Sequence, residues 1–331
     1  MQKVRLIALT GFLGSGKTTT MGALAEHLEA QGETVALVTN DQGTELVDSA
    51  VAALSSEVTA EVTGGCYCCR FDDLALVLED ILAEGEASTI IIEAVGSCTD
   101  LQATVIRPLL KFYEDRIQVA PLFTVIDPDR YNELMPLVGS EDETDLAYLY
   151  DLQLAEANII GINKDDTLRA DEKEALVAAV KQRYPRAEVV LYSALLKRGL
   201  DTVAKSLDDV PAHWNVEIDY DRYAAAEAAL AWLNLTVDLA ATDEAGFGPA
   251  TWVISALEHL AAGCAEIDAT IGHIKIHLRS GEMGVTANLV GDGQPRLASA
   301  SFGNVASGQA LVNARVAMVT GDLDELVRAA I

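Results

Sequence analysis

The chain has 331 residues, half of them hydrophobic and 22% charged, which is enough apolar material for more than one core and excludes disordered and fibrous classes. Against 51 Asp and Glu there are only 23 Lys and Arg, and the resulting net charge of −28 repels DNA, RNA and anionic lipid. No Lys/Arg run overrides that field locally, so neither nucleic acid nor membrane is expected as a partner.

The opening residues carry Lys3 and Arg5 but no signal-peptide apolar region, and no apolar run reaches membrane-span length. Short β-branched runs at 4–9, 34–38, 89–92, 119–126, 159–162 and 189–192 read as buried strands. Helical periodicity at 18–29, 72–83, 100–114 and 170–183 separates most of them. This alternation predicts an α/β fold, a mostly parallel sheet with helices on both faces, over residues 1–207. A charged, Pro-containing stretch at 208–221 reads as a linker. Residues 222–331 read as a smaller α+β domain. Its helices are expected at 224–232, 251–264 and 323–331, and its strands at 233–239, 271–278, 284–290, 297–302 and 310–319.

Residues 11–18 read G-F-L-G-S-G-K-T, directly after a strand and directly before a helix. That is the phosphate-binding loop pattern. Gly11, Gly14, Ser15 and Gly16 offer backbone N–H groups to phosphate oxygens, Lys17 meets the β- and γ-phosphates, and Thr18, followed by Thr19, places its hydroxyl on Mg²⁺. Such a loop needs a second acidic group near the metal. Glu93, at the end of the run Ile90, Ile91 and Ile92, is the candidate, and Gly96 three residues on is placed to sense the γ-phosphate. Asn163, Lys164, Asp165 and Asp166 match N-K-x-D after a strand. There the Asp166 carboxylate accepts a pair of hydrogen bonds that guanine offers and adenine does not. Ser193, after the next strand, is a candidate base contact, with an ordinary strand-to-loop end as its alternative.

Cys66, Cys68 and Cys69 lie within four positions of one another behind Gly64 and Gly65. Three thiolates so spaced suit one soft or borderline cation, Zn²⁺ above all, with a fourth position open; packed small side chains and reversible redox chemistry are the alternatives. An odd total of five cysteines makes no disulfide framework and points to a reducing cytoplasm. Cys98 and Cys264 read as buried fillers. Asp41 and Glu45 are acidic loop positions able to complete or neighbour the thiolate site. His273, Lys275 and His277 alternate along one strand and share a face, where two histidines are able to chelate but an exposed strand face explains them as well.

On these residues the chain resembles the CobW-type family of P-loop GTPases, whose relatives include the nickel chaperones of urease and hydrogenase. The carrying motifs are G-F-L-G-S-G-K-T-T at 11–19, G-C-x-C-C at 65–69, E-x-x-G at 93–96 and Q-L-A-E-A-N-I-I-G-I-N-K-D-D at 153–166. The resemblance implies GTP-dependent metal insertion. The C-x-C-C cysteines hold a cation, most often zinc, with cobalt or nickel as further options, and nucleotide state decides whether it is kept or handed to a client metalloprotein. Self-association into a homodimer is a further expectation. The family's N-E-F-G segment reads Asn40, Asp41, Gln42 and Gly43 here, closer to the N-D of the nickel chaperones, where the Asp is implied to bind Mg²⁺ or organise the switch. The His-rich metal store of many members is absent from the sequence. Lys17, Asp41, Glu93 and Gly96 are thus the candidates for GTP hydrolysis to GDP, and Ser97 stands where other GTPases often carry a water-orienting glutamine, so slow unassisted turnover is expected. The rival reading is a GTP-dependent regulatory switch on a cobalamin or other cofactor enzyme, with structural cysteines.

Overall fold

The computed structural model describes residues 3–41, 58–63, 67, 70–213, 216–267, 269–281, 283–291, 294–297 and 302–331. They form two compact units with the sequence boundary between Tyr223 and Ala224.

In the first unit the described elements run β1 (Val4–Thr10), α1 (Lys17–Ala30), β2 (Val35–Asp41), β3 (Val58–Thr63), α2 (Phe71–Glu84), β4 (Thr89–Glu93), α3 (Arg107–Phe112), β5 (Ile117–Val119), β6 (Phe123–Ile126), α4 (Pro128–Leu134), α5 (Asp145–Ala155), β7 (Ile159–Ile162), α6 (Ala170–Arg183), β8 (Glu188–Leu191) and α7 (Leu200–Ser206), and α8 (Tyr220–Ala229) carries the chain across the sequence boundary. The sheet order is β3-β2-β4-β1-β6-β7-β8, with β5 also on β1, and every pairing in it is parallel. Parallel strands covered on both faces read as continuous apolar runs, and Leu6 to Leu9 and Ile90 to Ile92 are accordingly buried throughout. From α1, Met21, Leu24, Ala25 and Leu28 enter one core with Ile7, Leu9, Val35, Leu37 and Ile91. Each such large side chain contributes about 1.5–3 kcal/mol by leaving water.

The chain steps from β1 past one position to β2 and β3, returns to β4, and then crosses to the other side of β1 for β6, β7 and β8. This reversal makes the carboxyl ends of β1 and its neighbours a topological switch point, where open α/β sheets bind ligands.

Several elements differ from the sequence expectation. The strand expected over 119–126 is two strands, because Pro121 between them has no N–H for a ladder. The helix expected over 100–114 begins as a π-helical turn, Gln102–Ile106, before α3, whose Pro108 sits in its first turn. β3 is absent from the sequence expectation, because Val58 to Thr63 alternate apolar and polar residues and carry no continuous apolar run. Helices α4, α5 and α7 also went unanticipated. Within the 208–221 stretch, read as a linker, Asp208 lies 2.7 Å from Arg5, and Ala212 O accepts from Asn158 Nδ2 at 2.6 Å.

The second unit contains β9 (Leu230–Ala240), α9 (Pro249–Glu266), β10 (Ile271–Ser280), β11 (Met283–Leu289), β12 (Arg296–Leu297), β13 (Ser307–Ala317) and α10 (Thr320–Ala330). Its sheet is antiparallel in the order β12-β11-β10-β13-β9. Ile274, Ile276 and Leu278 on β10 join Val312, Ala314 and Val316 on β13 and Val253, Leu257 and Leu260 of α9 in one core. The helix expected to reach residue 232 stops at Ala229, since Leu230 to Leu233 pair with β13. The strand expected at 297–302 lies partly outside the described residues. No helix among the described residues is long and apolar enough to cross a membrane.

Candidate functional site

The phosphate loop leaves β1 at Gly11, and Gly11, Gly14 and Gly16 all have positive φ. Gly16 begins α1 at φ 94°, and a Cβ there would lie 2.4 Å from Asn163 Nδ2, so both backbone and space demand glycine. No side chain caps α1, the arrangement that lets a helix N-terminus receive an anion. Ser15 Oγ is buried with no hydrogen-bond partner among the described residues. Lys17 is buried, its Nζ reaching back to Phe12 O at 3.3 Å. Thr18 Oγ1 donates to Glu93 Oε1 at 2.9 Å, which joins the loop to the end of β4 across 75 residues of sequence. Thr19 is exposed.

Gly96 packs against the same loop, since a Cβ there would come within 2.7 Å of Leu13 Cδ2. Asp41 ends β2, whose Val38 is level with Ile92 of β4, so its backbone lies at the same sheet edge. Its side chain, like Glu45, Cys66, Cys68 and Cys69, falls outside the described residues. Of the C-x-C-C run only Tyr67 is described. It is fully buried, its N–H donating to Asn40 Oδ1 at 3.1 Å and its hydroxyl to Val38 O at 3.0 Å. Among the described residues there is no cluster of three or more His, Cys, Asp or Glu able to hold a metal.

The N-K-x-D residues divide their labour. Asn163 Nδ2 donates to Ser15 O at 3.0 Å while its Oδ1 accepts from Ala194 N at 3.0 Å, clamping the phosphate loop to the turn after β8. Lys164, at a left-handed φ of 56°, donates to Gly14 O at 2.9 Å and lies 3.6 Å from Asp127 Oδ2. Asp165 is held by Lys173 at 2.7 Å and Arg198 at 2.9 Å. Asp166 is exposed beside it. Ser193 is buried and its hydroxyl accepts from Leu196 N at 3.2 Å within the turn after β8.

Two residues given no role from sequence emerge behind the site. Gln153, from α5, donates to Gly96 O and Cys98 O. Glu156, three residues on, accepts from Gln102 N at 3.2 Å, and burial raises its pKa to about 8 against the lowering effect of its backbone hydrogen bonds. Gln153 opened the motif at 153–166; its buried side-chain partners, being backbone groups far away in sequence, left no pattern to find. Cys98 and Cys264 are buried thiols. His273 and His277 do share a face, but two pleats separate them by roughly 13 Å, and His277 Nδ1 pairs with Thr286 Oγ1 at 2.8 Å, so they form no chelate with each other.

Residues 5–191, more than half of the chain, match the family described as CobW/HypB/UreG, nucleotide-binding domain. A zinc chaperone named YeiR from Escherichia coli K12 is 32% identical over 171 residues, covering 51% of this chain and 48% of the relative. A zinc chaperone named CobW from a Sinorhizobium species is 27% identical over 57% of this chain and 58% of its own length. A zinc-regulated GTPase metalloprotein activator from Schizosaccharomyces pombe is 26% identical over 63% of this chain and 48% of its own length. The match thus spans about half the length of these curated relatives.

Proposed function

The chain belongs to the CobW/HypB/UreG nucleotide-binding family, and from that premise we propose that it is a GTP-hydrolysing metallochaperone that holds a metal ion, zinc by preference, at Cys66, Cys68 and Cys69 and delivers it to a client metalloprotein in the cytoplasm. The observation that carries the nucleotide half is the Thr18–Glu93 hydrogen bond, which brings the phosphate loop and the end of β4 to one point. A hydroxyl and a carboxylate 2.9 Å apart at an uncapped helix start are a donor pair suited to a hard cation. Thr18 and Glu93, with Asp41, would hold Mg²⁺, which when bound neutralises charge on the β- and γ-phosphates.

Around that point Lys17 and the backbone of 14–18 receive the phosphates, and Gly96, pressed on Leu13, places its N–H toward the γ-phosphate. Asp166 selects guanine, because Asp165 is already spent on Lys173 and Arg198. Water attacks the γ-phosphorus in line, the bond to the β–γ bridging oxygen breaks, and GDP and phosphate leave; the protein supplies positioning and charge. For the metal half, the names of the relatives and the C-x-C-C sequence agree. Tyr67 supports a link between the two halves: the peptide N–H between Cys66 and Tyr67 is bonded to Asn40, next to Asp41.

The test is a competition for Zn²⁺ against a calibrated chelator in GDP and in a non-hydrolysable GTP analogue, repeated as nucleotide titrations with and without metal. Coupling is reciprocal, so a tenfold change in one affinity, about 1.4 kcal/mol, must reappear in the other. Loss of stoichiometric zinc in a Cys66→Ser, Cys68→Ser, Cys69→Ser variant is expected. Equal metal affinity in both nucleotide states would leave the regulatory-switch reading in its place.

A further inference from the structure

The last turn of α5 grips the segment that follows Glu93 from beneath. Gln153 is fully buried, and its Nε2 donates to Gly96 O at 3.0 Å and to Cys98 O at 2.8 Å. Glu156, three positions on and therefore on the same helix edge, takes Gln102 N, while Gln102 Nε2 donates back to Glu156 O at 3.2 Å and to Asn158 Oδ1 at 3.1 Å. One helix end therefore holds both ends of the stretch from Gly96 to Gln102.

The grip is incomplete in this state. Gln153 Oε1 is buried with no hydrogen-bond partner among the described residues. Turning the amide over does not mend this, because Oε1 would then face two carbonyl oxygens that need a donor. A buried acceptor left unfilled destabilises the arrangement that leaves it so. A second arrangement of 96–99 that turned one backbone N–H onto Oε1 would remove that destabilisation. Gly96, with Leu13 of the phosphate loop packed on its Cα, is the place where such a rearrangement is felt at the nucleotide.

We propose that Gln153 is a positioning residue for GTP hydrolysis, fixing the 96–98 backbone through its amide N–H groups in the state seen here and taking a backbone donor from the same segment onto Oε1 when the γ-phosphate is bound. This rests on the reading of 93–96 as the γ-phosphate segment. Gln153 touches no phosphate itself; it acts through Gly96, where a misplacement of the order of 1 Å costs about a hundredfold in rate.

The experiment compares wild type, Gln153→Met and Gln153→Glu for kcat, KM, GDP affinity and affinity for a non-hydrolysable GTP analogue, with Lys17→Ala measured alongside. The expected result is a kcat lowered tenfold or more, GDP affinity within twofold of wild type, and a loss of the analogue-over-GDP preference, since GDP never engages the segment. A merely structural role would instead lower both affinities together, and that outcome overturns the proposal, as does wild-type kcat in both variants. If neither variant yields a cooperatively melting, GDP-binding protein, Gln153 is a determinant of the fold and the proposal falls. Wild-type protein that hydrolyses no GTP, or Lys17→Ala protein that still does, refutes the GTPase reading itself, a result distinct from any of these.

Discussion

The carboxyl edge of the first sheet and the open row on β10 both line up chemically capable side chains, yet they are built in opposite ways. At the sheet edge the contacts are long-range and converge on one glycine loop. Thr18 meets Glu93, Asn163 joins Ser15 to Ala194, and Lys164 holds Gly14. On β10 the row His273, Lys275 and His277 follows from the two-residue period of any strand, and His277 is spent on Thr286 of the adjoining strand. The contrast teaches that spacing alone puts residues in a row, whereas convergence from distant segments makes a place for a ligand. It also generates tests.

The largest expected effect lies at the loop. Lys17→Ala should remove GTP hydrolysis, by about a thousandfold or more, because its charge serves the phosphates. Lys275→Ala, on the β10 row, should leave turnover unchanged. Initial rates at saturating GTP, with melting curves to verify folding, decide the matter, and comparable losses in the two variants would erase the contrast. Next comes base choice. Asp166→Asn should lower GTP affinity on the order of a hundredfold and narrow the gap to ATP. Asp165→Asn should leave the preference for GTP intact, since Asp165 is committed to Lys173 and Arg198. Titrations with both nucleotides separate the neighbours, and a loss of guanine preference in Asp165→Asn alone would show that the motif is read one residue out.

How much of this was legible differs by region for a physical reason. The parallel sheet, α1, the phosphate loop and the N-K-x-D turn are local patterns, apolar runs and glycines at fixed offsets, and the sequence displays them. Where the pattern is interrupted, reading fails. Pro121 divides one apolar run into β5 and β6, and β3, paired with β2, alternates apolar and polar residues over only six positions, which a search for apolar runs passes over. At the site, Glu93 and Gly96 follow from their place at a strand end. Gln153 and Glu156 do not, because what they bind is main chain some fifty residues earlier. Ser193 reads from sequence as either a base contact or an ordinary strand end, and the hydrogen bond its hydroxyl accepts from Leu196 N is of the local kind that Ser makes with its own backbone.

A smaller effect is expected at Gly96. Gly96→Ala places a methyl 2.7 Å from Leu13 Cδ2 and 3.1 Å from Leu13 Cα, so the loop backbone must give as well as the side chain, an overpacking of about 1–3 kcal/mol. Because the strain falls on the loop, hydrolysis should slow by roughly tenfold while GDP affinity stays near wild type. Full activity in Gly96→Ala would mean that the contact with Leu13 does not report on the nucleotide.

The smallest effects are also the sharpest form of the comparison, because the two units carry buried titrating groups of opposite sign. Burial raises Glu156 to about 8, above its ordinary carboxylate value, so the folded state holds a proton that the unfolded chain releases near 4.5. Its contribution is fully present below about 4.5 and is lost as pH rises through 8. Burial, assisted by Arg279, lowers His277 below its ordinary 6.5, so the folded state prefers the neutral ring. That contribution is present above 6.5 and is lost as pH falls through the lowered value. Glu156→Gln, which stays neutral at every pH, should therefore flatten the fall in stability between pH 5 and pH 8, while His277→Gln should flatten the loss below pH 6.5. Denaturant midpoints of wild type and both variants across this range check the pair. The His277 effect is the lesser, since a half-buried ring relaxes its charge toward water where a fully buried carboxyl does not. Parallel pH profiles for wild type and Glu156→Gln would mean that Glu156 is ionised in the folded protein, and the hold of α5 on Gln102 would then be that of a charged acceptor.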